Sequence, residues 1–319
     1  MKESNKQPRN ILMWLRETDS HLNSDFFHGE KEVAYHKFFK EVSEKNNFRF
    51  AFGFDSYTGD ATFSHVFAYK DGGLVEAEEN FVAEVIYQFN RMVPIGFSVK
   101  PAVIRNTSEF KELCNSKIET YKYLKEFFPK TFIAFSKEEI LSLLKEIETD
   151  KIVLKPNRGK EGDDVLIFSK SEINLDLVKE EKLHKDGFLV QEFIDTSAGI
   201  PNIATSYHDL RIITFGDKIS LCHVRQPQDG SLISNYHKGA SKTEIPIDSI
   251  PEFILSFYKK VHSKIIKKYP NPMYSMDIGI GKDGPRLIEL NSHTAFPGKD
   301  FKCLNLFINN LIEYLESLV

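Results

Sequence analysis

Cysteine is scarce in this chain. Cys114, Cys222 and Cys303 are scattered with no CxxC spacing. Neither a disulfide framework nor a thiolate zinc site is suggested, and a reducing cytoplasm fits that usage. Long apolar runs are also missing. Residues 1–10 are polar, and the run that follows, 11–15, is far too short for a signal-peptide core or a membrane span. Neither charge sign dominates: 42 Lys+Arg stand against 46 Asp+Glu, a formal net charge of −4. Nucleic acid is therefore not the default partner. There is no GxGxxG for a dinucleotide and no GxSxG or paired Cys/His nucleophile. The 10 histidines show no metal-ligand spacing, and there is no internal repeat, heptad or low-complexity tract.

What remains is an ordinary globular composition. The 319 residues are 41% hydrophobic and 28% charged, enough for a sizeable core and two or three lobes. The 27 Phe are dispersed and read as core filling.

The most informative stretch is 274–291, YSMDIGIGKDGPRLIELN. Two apolar runs flank the breaker cluster Gly281-Lys282-Asp283-Gly284-Pro285, which predicts two antiparallel strands joined by a tight loop. Folded about Asp283, the hairpin sets Asp277 opposite Glu289, and Asn291 follows on the same face. Three oxygen-bearing side chains then meet on one patch. Such a patch suits Mg²⁺, a hard cation that takes oxygen ligands and few of them from protein. A solvated hairpin face with ordinary acids is the plainer alternative. Leu287, Ile288 and Leu290 speak against it, because they make the strand apolar on its other face as well. A strand covered on both faces has to justify an acid.

Upstream, 11–16 reads as a buried strand and 33–43 as a helix with Val33, Phe38, Phe39 and Val42 at helical spacing. A strand is expected at 48–54. A hairpin is expected at 63–69 and 74–76 about Asp71-Gly72-Gly73, and 82–89 is strand or helix. This order suggests a small α/β lobe. A helix follows at 116–128, with Ile118, Tyr121, Leu124 and Phe127 as its stripe, and Pro129 ends it. A strand begins at 130–135, and Ser136 to Glu139 is a capping box for a helix through 147. A strand at 151–155 leads into Asn157-Arg-Gly-Lys-Glu-Gly-Asp-Asp164, then a second strand. Backbone N–H groups of such a loop can approach a phosphate, with Lys155 aimed from the strand end. It is not a Walker loop, and a charged, flexible hairpin tip explains it equally well.

Strands are expected at 187–194, 209–215 and 219–224, the last two about a Gly216-Asp217 turn, with a polar loop at 195–208. Asp209 and Arg211 share a strand face, and Arg225 closes the next strand. Two arginines near a metal patch suit bidentate capture of phosphate or carboxylate oxygens. A solvated ion pair is the plainer reading for either alone. Residues 234–241 read as polar and turn-like, and 250–268 as an amphipathic helix with Ile254, Phe257, Val261 and Ile265. A last helix is expected at 301–318.

Taken in order, Lys117 at a helix start, Lys155 before a glycine loop, QEFI at a strand end, D-x-R on a hairpin, SN in a loop, then Asp277, Glu289 and Asn291 resemble the ATP-grasp superfamily. The likeness is greatest to glutathione synthetases and the ribosomal-protein glutamate ligases, two carboxylate–amine ligases. It covers 116–298. The resemblance implies an α/β (α+β) fold: a small pre-ATP-grasp domain at 1–115, a central lobe with the glycine loop at 116–190, and a C-terminal lobe with the metal site at 191–319. ATP would lie between two antiparallel sheets.

It implies roles residue by residue. Lys117 and Lys155 would touch ATP phosphates, Lys155 the adenine side as well. Gly159 and Gly162 belong to the phosphate loop. Gln191, Glu192, Phe193 and Ile194 would form the hinge that reads adenine through backbone groups. Asp209 would lie near the ribose or phosphates, and Ser234 and Asn235 would face the phosphates. Arg211 and Arg225 would stabilise the transferred phosphoryl group, with Asn235 beside them. Asp277, Glu289 and Asn291 would hold one or two Mg²⁺. Four departures bear on the acceptor. The loop ends Gly162-Asp163-Asp164, Ile233 stands where relatives carry Arg, residues 196–207 form an insertion, and SHTAFPG follows Asn291.

The activity implied is ATP- and Mg²⁺-dependent carboxylate–amine (or carboxylate–thiol) ligation through an acylphosphate. The partners are a carboxylate substrate and an amine acceptor: an amino acid, a peptide or a protein tail. The reaction needs electrostatic stabilisation rather than a protein nucleophile. Neither nucleic acid nor membrane is expected. Homo-oligomers are common among relatives. Two rivals share the same residues: an ATP-grasp small-molecule kinase and a non-catalytic nucleotide-binding scaffold. His237 and His293 fall in loops near the site, where a plain polar role outweighs proton transfer.

Overall fold

The computed structural model describes residues 8–15, 32–45, 48–88, 100, 102–159, 164–228, 232, 240–294 and 296–318. The first lobe is one sheet of seven strands and a covering helix. β1 (Arg9–Trp14) is followed by α1 (Glu32–Ser43), β2 (Phe48–Gly53), β3 (Tyr57–Gly59), β4 (Thr62–Lys70), β5 (Gly73–Val82), β6 (Val85–Gln88) and β7 (Val103–Arg105). β1 runs parallel to β2 and β6, and β6 parallel to β7. β3, β4 and β5 add antiparallel pairings on the β2 side. In the stretch 82–89, Val82 ends β5, residues 83–84 break the strand, and 85–88 form β6. All of β6 is buried, as befits a strand covered on both faces. Asp71 and Gly72 turn the β4–β5 hairpin with φ of 52° and 86°, the left-handed backbone that a two-residue hairpin loop needs. α1 buries Ala34, Phe38, Phe39 and Val42. Val33 is not part of that stripe and lies half exposed, at 50%.

α2 (Ser108–Asn115) was not expected. Its sequence, SEFKELCN, is short and polar, but Thr107 caps it by accepting from the Phe110 N–H at 3.3 Å. α3 (Lys117–Leu124) follows at once, with Ser116 as its cap. It is shorter than the periodicity at 116–128 suggests, because the chain tightens into a 3₁₀ turn at Lys125–Phe127 before Pro129. β8 (Thr131–Ala134), α4 (Lys137–Leu143), β9 (Lys151–Pro156), β10 (Leu166–Ser169), α5 (Glu180–Asp186) and β11 (Phe188–Glu192) complete the second lobe. Its sheet is antiparallel in the order β10-β9-β11-β8. Ser136 accepts from the Glu139 N–H as the capping box requires, but Glu139 reaches Phe135 N at 2.6 Å.

The third sheet is antiparallel in the order β14-β13-β12-β15-β16. Its strands are β12 (Asp209–Phe215), β13 (Lys218–Gln226), β14 (Ser241–Glu244), β15 (Met273–Gly281) and β16 (Gly284–Asn291), with α6 (Glu252–Lys268) before β15 and α7 (Leu304–Glu316) last. β14 begins where the sequence read as turn: its polar residues pair with β13 at a sheet edge. In α6, Tyr258 and His262 are buried with Ile254, Val261 and Ile265, so the apolar stripe is wider than expected. Residues 195–208 are irregular but anchored. Ile200 and Ala204 bridge and are buried at 1% and 6%.

Two cores flank the third sheet. On one side Ile213, Phe215, Leu221 and Met273 join α7 and the first lobe through Phe296, Phe307 and Tyr87. On the other, Leu210, Ile212, Cys222, Val224, Met276 and Ile278 pack with α2, α3 and α6. The sheet is thus covered along both faces, and the polar residues it carries are held between apolar layers.

Candidate active site

The polar residues of the third sheet form one row across neighbouring strands. His223 on β13 pairs with Arg211 on β12, Arg211 with Asp277 on β15, and Asp277 with Glu289 on β16. Paired residues share a sheet face. In the next row Asp209 pairs with Arg225. The expected pairing of Asp277 with Glu289 holds, but the turn is not centred on Asp283. Gly281 pairs with Gly284, so the loop is Lys282-Asp283 alone. That register continues to Ile278 opposite Leu287, and then one extra residue, Ile288, bulges out of β16. The bulge puts Glu289 opposite Asp277. It also lets Leu287 and Leu290 both bury, at 0% and 1%.

Charges interlock along these rows. Arg211 donates Nε to Asp277 Oδ1 and Nη2 to Oδ2, both at 2.6 Å. Arg225 donates to both oxygens of Asp209 at 2.6 and 2.7 Å and to Asp277 Oδ2 at 2.8 Å. Burial alone would raise the Asp277 carboxyl, but the Arg211 and Arg225 guanidiniums hold it well below the usual carboxylate range. Burial pushes the Asp209 carboxyl up to about 6 against the pull of Arg225, and Asp277 adds to the push. Asn291 donates to Glu289 Oε1 at 3.0 Å, so these two share a face as expected.

The second lobe supplies cations. Lys117 lies 3.8 Å from Glu289 and donates to the Gly159 carbonyl at 3.0 Å. Asn157, which no local motif singles out, fixes this corner. Its Oδ1 accepts from Ser116 Oγ at 2.8 Å and from Ile118 N at 3.0 Å, tying the start of α3 to the end of β9. Lys155 is 8% exposed. Burial lowers it to about 8, partly offset by the field of Glu289, with Asp277 and Asp209 acting in the same sense. Residues of two different sheets therefore face one another across a charged gap.

The hinge residues divide. Gln191 lies in the centre of its sheet and donates its side-chain N–H to Thr131 Oγ1 at 2.9 Å. The N–H groups of Glu192 and Phe193 are used by Lys130 O and Lys151 O, at 3.0 and 3.3 Å, and the Glu192 carboxylate accepts from Glu148 N at 2.9 Å. The ladder thus takes the first three hinge residues, and the chain leaves the sheet at Ile194. Gly162, Ser234, Asn235 and His237 lie outside the described residues, as does Ile233.

Among the described residues no group of three His, Cys, Asp or Glu side chains could hold a metal by itself. Two carboxylates and one amide, Asp277, Glu289 and Asn291, still make an all-oxygen set. Such a set fits Mg²⁺ when phosphate oxygens supply further ligands. Both Asp277 oxygens are held by arginine here, so metal entry must loosen that grip.

Residues 116–265 match the family described as prokaryotic glutathione synthetase, ATP-grasp domain. The matched stretch, just under half of the chain, is similar to an ATP-grasp domain. The fold of the chain is shared along its whole length with solved structures. A D-alanyl-alanine synthetase A from Vibrio cholerae O1 biovar eltor str. N16961 superposes with a TM-score of 0.64 at 11% identity, covering 98% of this chain and 99% of that one. The ATP-grasp ligase PsnB, complexed with a phosphomimetic variant of minimal precursor, Mg and ADP, gives 0.60 at 11% identity, covering 97% and 100%. By sequence, a protein of Marinomonas sp. (strain MWYL1) described as "Probable alpha-L-glutamate ligase" is 25% identical over 233 residues, 73% of this chain and 71% of that one. A protein of the same description from Legionella pneumophila (strain Corby) is 24% identical over 191 residues, 59% of this chain and only 58% of that one.

Proposed function

We propose that this protein is an ADP-forming carboxylate–amine ligase. The observation that carries the reading is the interlocked row Arg211–Asp277–Glu289, with Arg225 and Asp209 beside it and Lys117 and Lys155 facing it. Acids for a metal and cations for phosphoryl oxygens meet in one gap of an ATP-grasp fold. The glutamate-ligase description of the relatives and the peptide precursor bound by PsnB support an amino acid and a peptide or protein tail as the joined groups.

Lys117 and Lys155 bind and orient the ATP phosphates. Ile194, where the chain leaves β11, begins the adenine hinge. Arg211 and Arg225 receive the substrate carboxylate and the phosphoryl group it attacks. Asp209 anchors Arg225 from below. Asp277, Glu289 and Asn291 would hold Mg²⁺, which offsets charge on the phosphoryl oxygens. The acylphosphate formed is then attacked by the amine, and phosphate leaves. No protein nucleophile takes part, and preorganised charge carries the catalysis. Among the described residues no helix is long and apolar enough to cross a membrane. The scarce, unpaired cysteines support a cytoplasmic site of action.

ADP release driven by pooled amino acids and peptides tests the reading, with mass spectrometry of the product. An amide product whose formation is abolished by Asp277→Asn and Glu289→Gln is expected. A stable phosphorylated product made without amine would establish a kinase instead. Full activity in both variants would remove the metal assignment.

A further inference from the structure

Buried polar atoms without partners are uncommon enough to need a reason. Two such atoms belong to the site-bearing sheet: His223 Nδ1 and Ser275 Oγ. Ser275 pairs with Asn291 and precedes Asp277 by two residues, so it shares the site face. His223 pairs directly with Arg211. Its strand neighbours Cys222 and Val224 point the other way, into the α2–α3–α6 core. Packing therefore accounts for them and not for the imidazole. His223 is 6% exposed, and a buried nitrogen left unpartnered gives up its hydration with no hydrogen bond in return.

The surroundings say what would meet that nitrogen. On one side stands Arg211, whose Nε and Nη2 are used by Asp277 while Nη1 is not. On the other, His223 pairs with Glu244, whose carboxylate accepts from Lys302 N at 2.7 Å and Cys303 N at 3.0 Å. The Phe301 ring stands edge-on to the imidazole at 6.0 Å. The segment after Asn291 is therefore strapped down beside His223. Burial first, then Arg211, Arg225 and Lys242, keep the imidazole neutral, well below its usual range, with Asp277 opposing weakly. A neutral ring in a cationic field is a donor for an anionic oxygen, not a partner for an ammonium group.

We propose that His223 is a specificity-determining residue, its Nδ1–H hydrogen-bonding the substrate carboxylate that Arg211 receives. This deepens the ligase reading and rests on it. The bond fixes how far from the phosphoryl site the carboxylate sits. It places the remainder of the substrate against Phe301 and the strapped segment.

The test uses the full chain with ¹⁵N-labelled histidine, loaded with AMPPNP and Mg²⁺. The His223 signals are assigned by their loss in His223→Leu. The probe is L-glutamate, then each carboxylate in the pool that drives ADP release. The Nδ1 resonance is expected to move on adding the probe. KM for the probe should rise about tenfold or more in His223→Leu, the loss of one hydrogen bond to a charged group. His223→Asn, which keeps a donor near the Nδ1 position, should recover part of it. AMPPNP affinity should stay the same in all three proteins. A resonance unmoved by every carboxylate that is turned over, with KM unchanged, overturns the proposal. So does a rise in KM matched by an equal loss of AMPPNP affinity, the mark of a structural role. A wild-type chain that binds no AMPPNP would overturn the ligase reading and this inference with it.

Discussion

Arg211 and Asp277 meet in a two-pronged pair, Nε to Oδ1 and Nη2 to Oδ2, both at 2.6 Å across adjacent strands. Asp277 is 2% exposed, and it is the hub through which Arg225 joins the same network. Breaking a buried pair by removing one charge costs about 3–5 kcal/mol, because the partner stays buried and uncompensated. Asp277→Asn is therefore expected to lower stability to chemical denaturant by roughly that amount and to abolish ADP release. Glu289→Gln should abolish ADP release with a much smaller stability loss, since Lys117 is 3.8 Å away and the carboxylate is partly exposed. Denaturation midpoints of the two variants, compared with activity, check the contrast.

Lys155 gives a pH dependence with a definite sign. Its folded-state pKa is lowered to about 8, first by burial. Between about 8 and the ordinary lysine value the unfolded chain holds a proton that the folded chain has released, so this group raises stability as pH rises through that window. Nucleotide binding runs the other way. Phosphates favour the charged amine, so affinity should fall as pH rises above about 8, and binding near that pH should take up a proton. Calorimetry of AMPPNP binding in buffers of different ionisation enthalpy would show the uptake. Lys155→Met should abolish it.

Asn106, just before α2, ties that segment to the β15–β16 hairpin, at the first residue of β15 and just past the end of β16. Its Nδ2 donates to Met273 O at 2.6 Å and to Ser292 O at 3.0 Å, and its Oδ1 accepts from Met273 N at 2.8 Å. It is 3% exposed. Asn106→Ala leaves these backbone groups unsatisfied, and a loss of about 1–3 kcal/mol is expected. Thermal unfolding should read it as a lowered midpoint with AMPPNP still bound.

Ile194 sits on Gly279. A Cβ built at Gly279 would lie 3.2 Å from both Cδ1 and Cγ2 of Ile194, too close without movement. Gly279→Ala should push Ile194 outward and weaken nucleotide binding several-fold, roughly a kcal/mol or less. Gly279→Ala with Ile194→Val should restore part of it. An unchanged Kd for AMPPNP in the single variant would separate Ile194 from the nucleotide.

Much of this fold was legible along the chain, where local chemistry decides. The Asp71-Gly72 and Gly216-Asp217 turns announce their hairpins because few residues accept a left-handed backbone. The helix at α6 follows from its apolar spacing. The misses have the same physical root. α2 is held by the Thr107 cap and by burial of Phe110, Leu113 and Cys114, not by a long periodic stripe. β14 is a polar edge strand made by its partner. Asn157 and Asn106 bond to residues far away in sequence, and nothing local marks them.

The sequence by itself determined which groups were available: two acids and an amide on one hairpin, D-x-R upstream, two lysines ahead of a glycine loop. It also determined that they would sit on strands, because apolar runs and turn residues are local signals. Only the tertiary structure decided what they face. The two-residue Lys282-Asp283 turn by itself would set Asp277 against Ile288 and send Glu289 away from it. The bulge at Ile288 reverses that, for it lets Leu287 and Leu290 reach the core together while Glu289 keeps to the site. A bulge is chosen by packing across a sheet, and packing is a property of the folded whole.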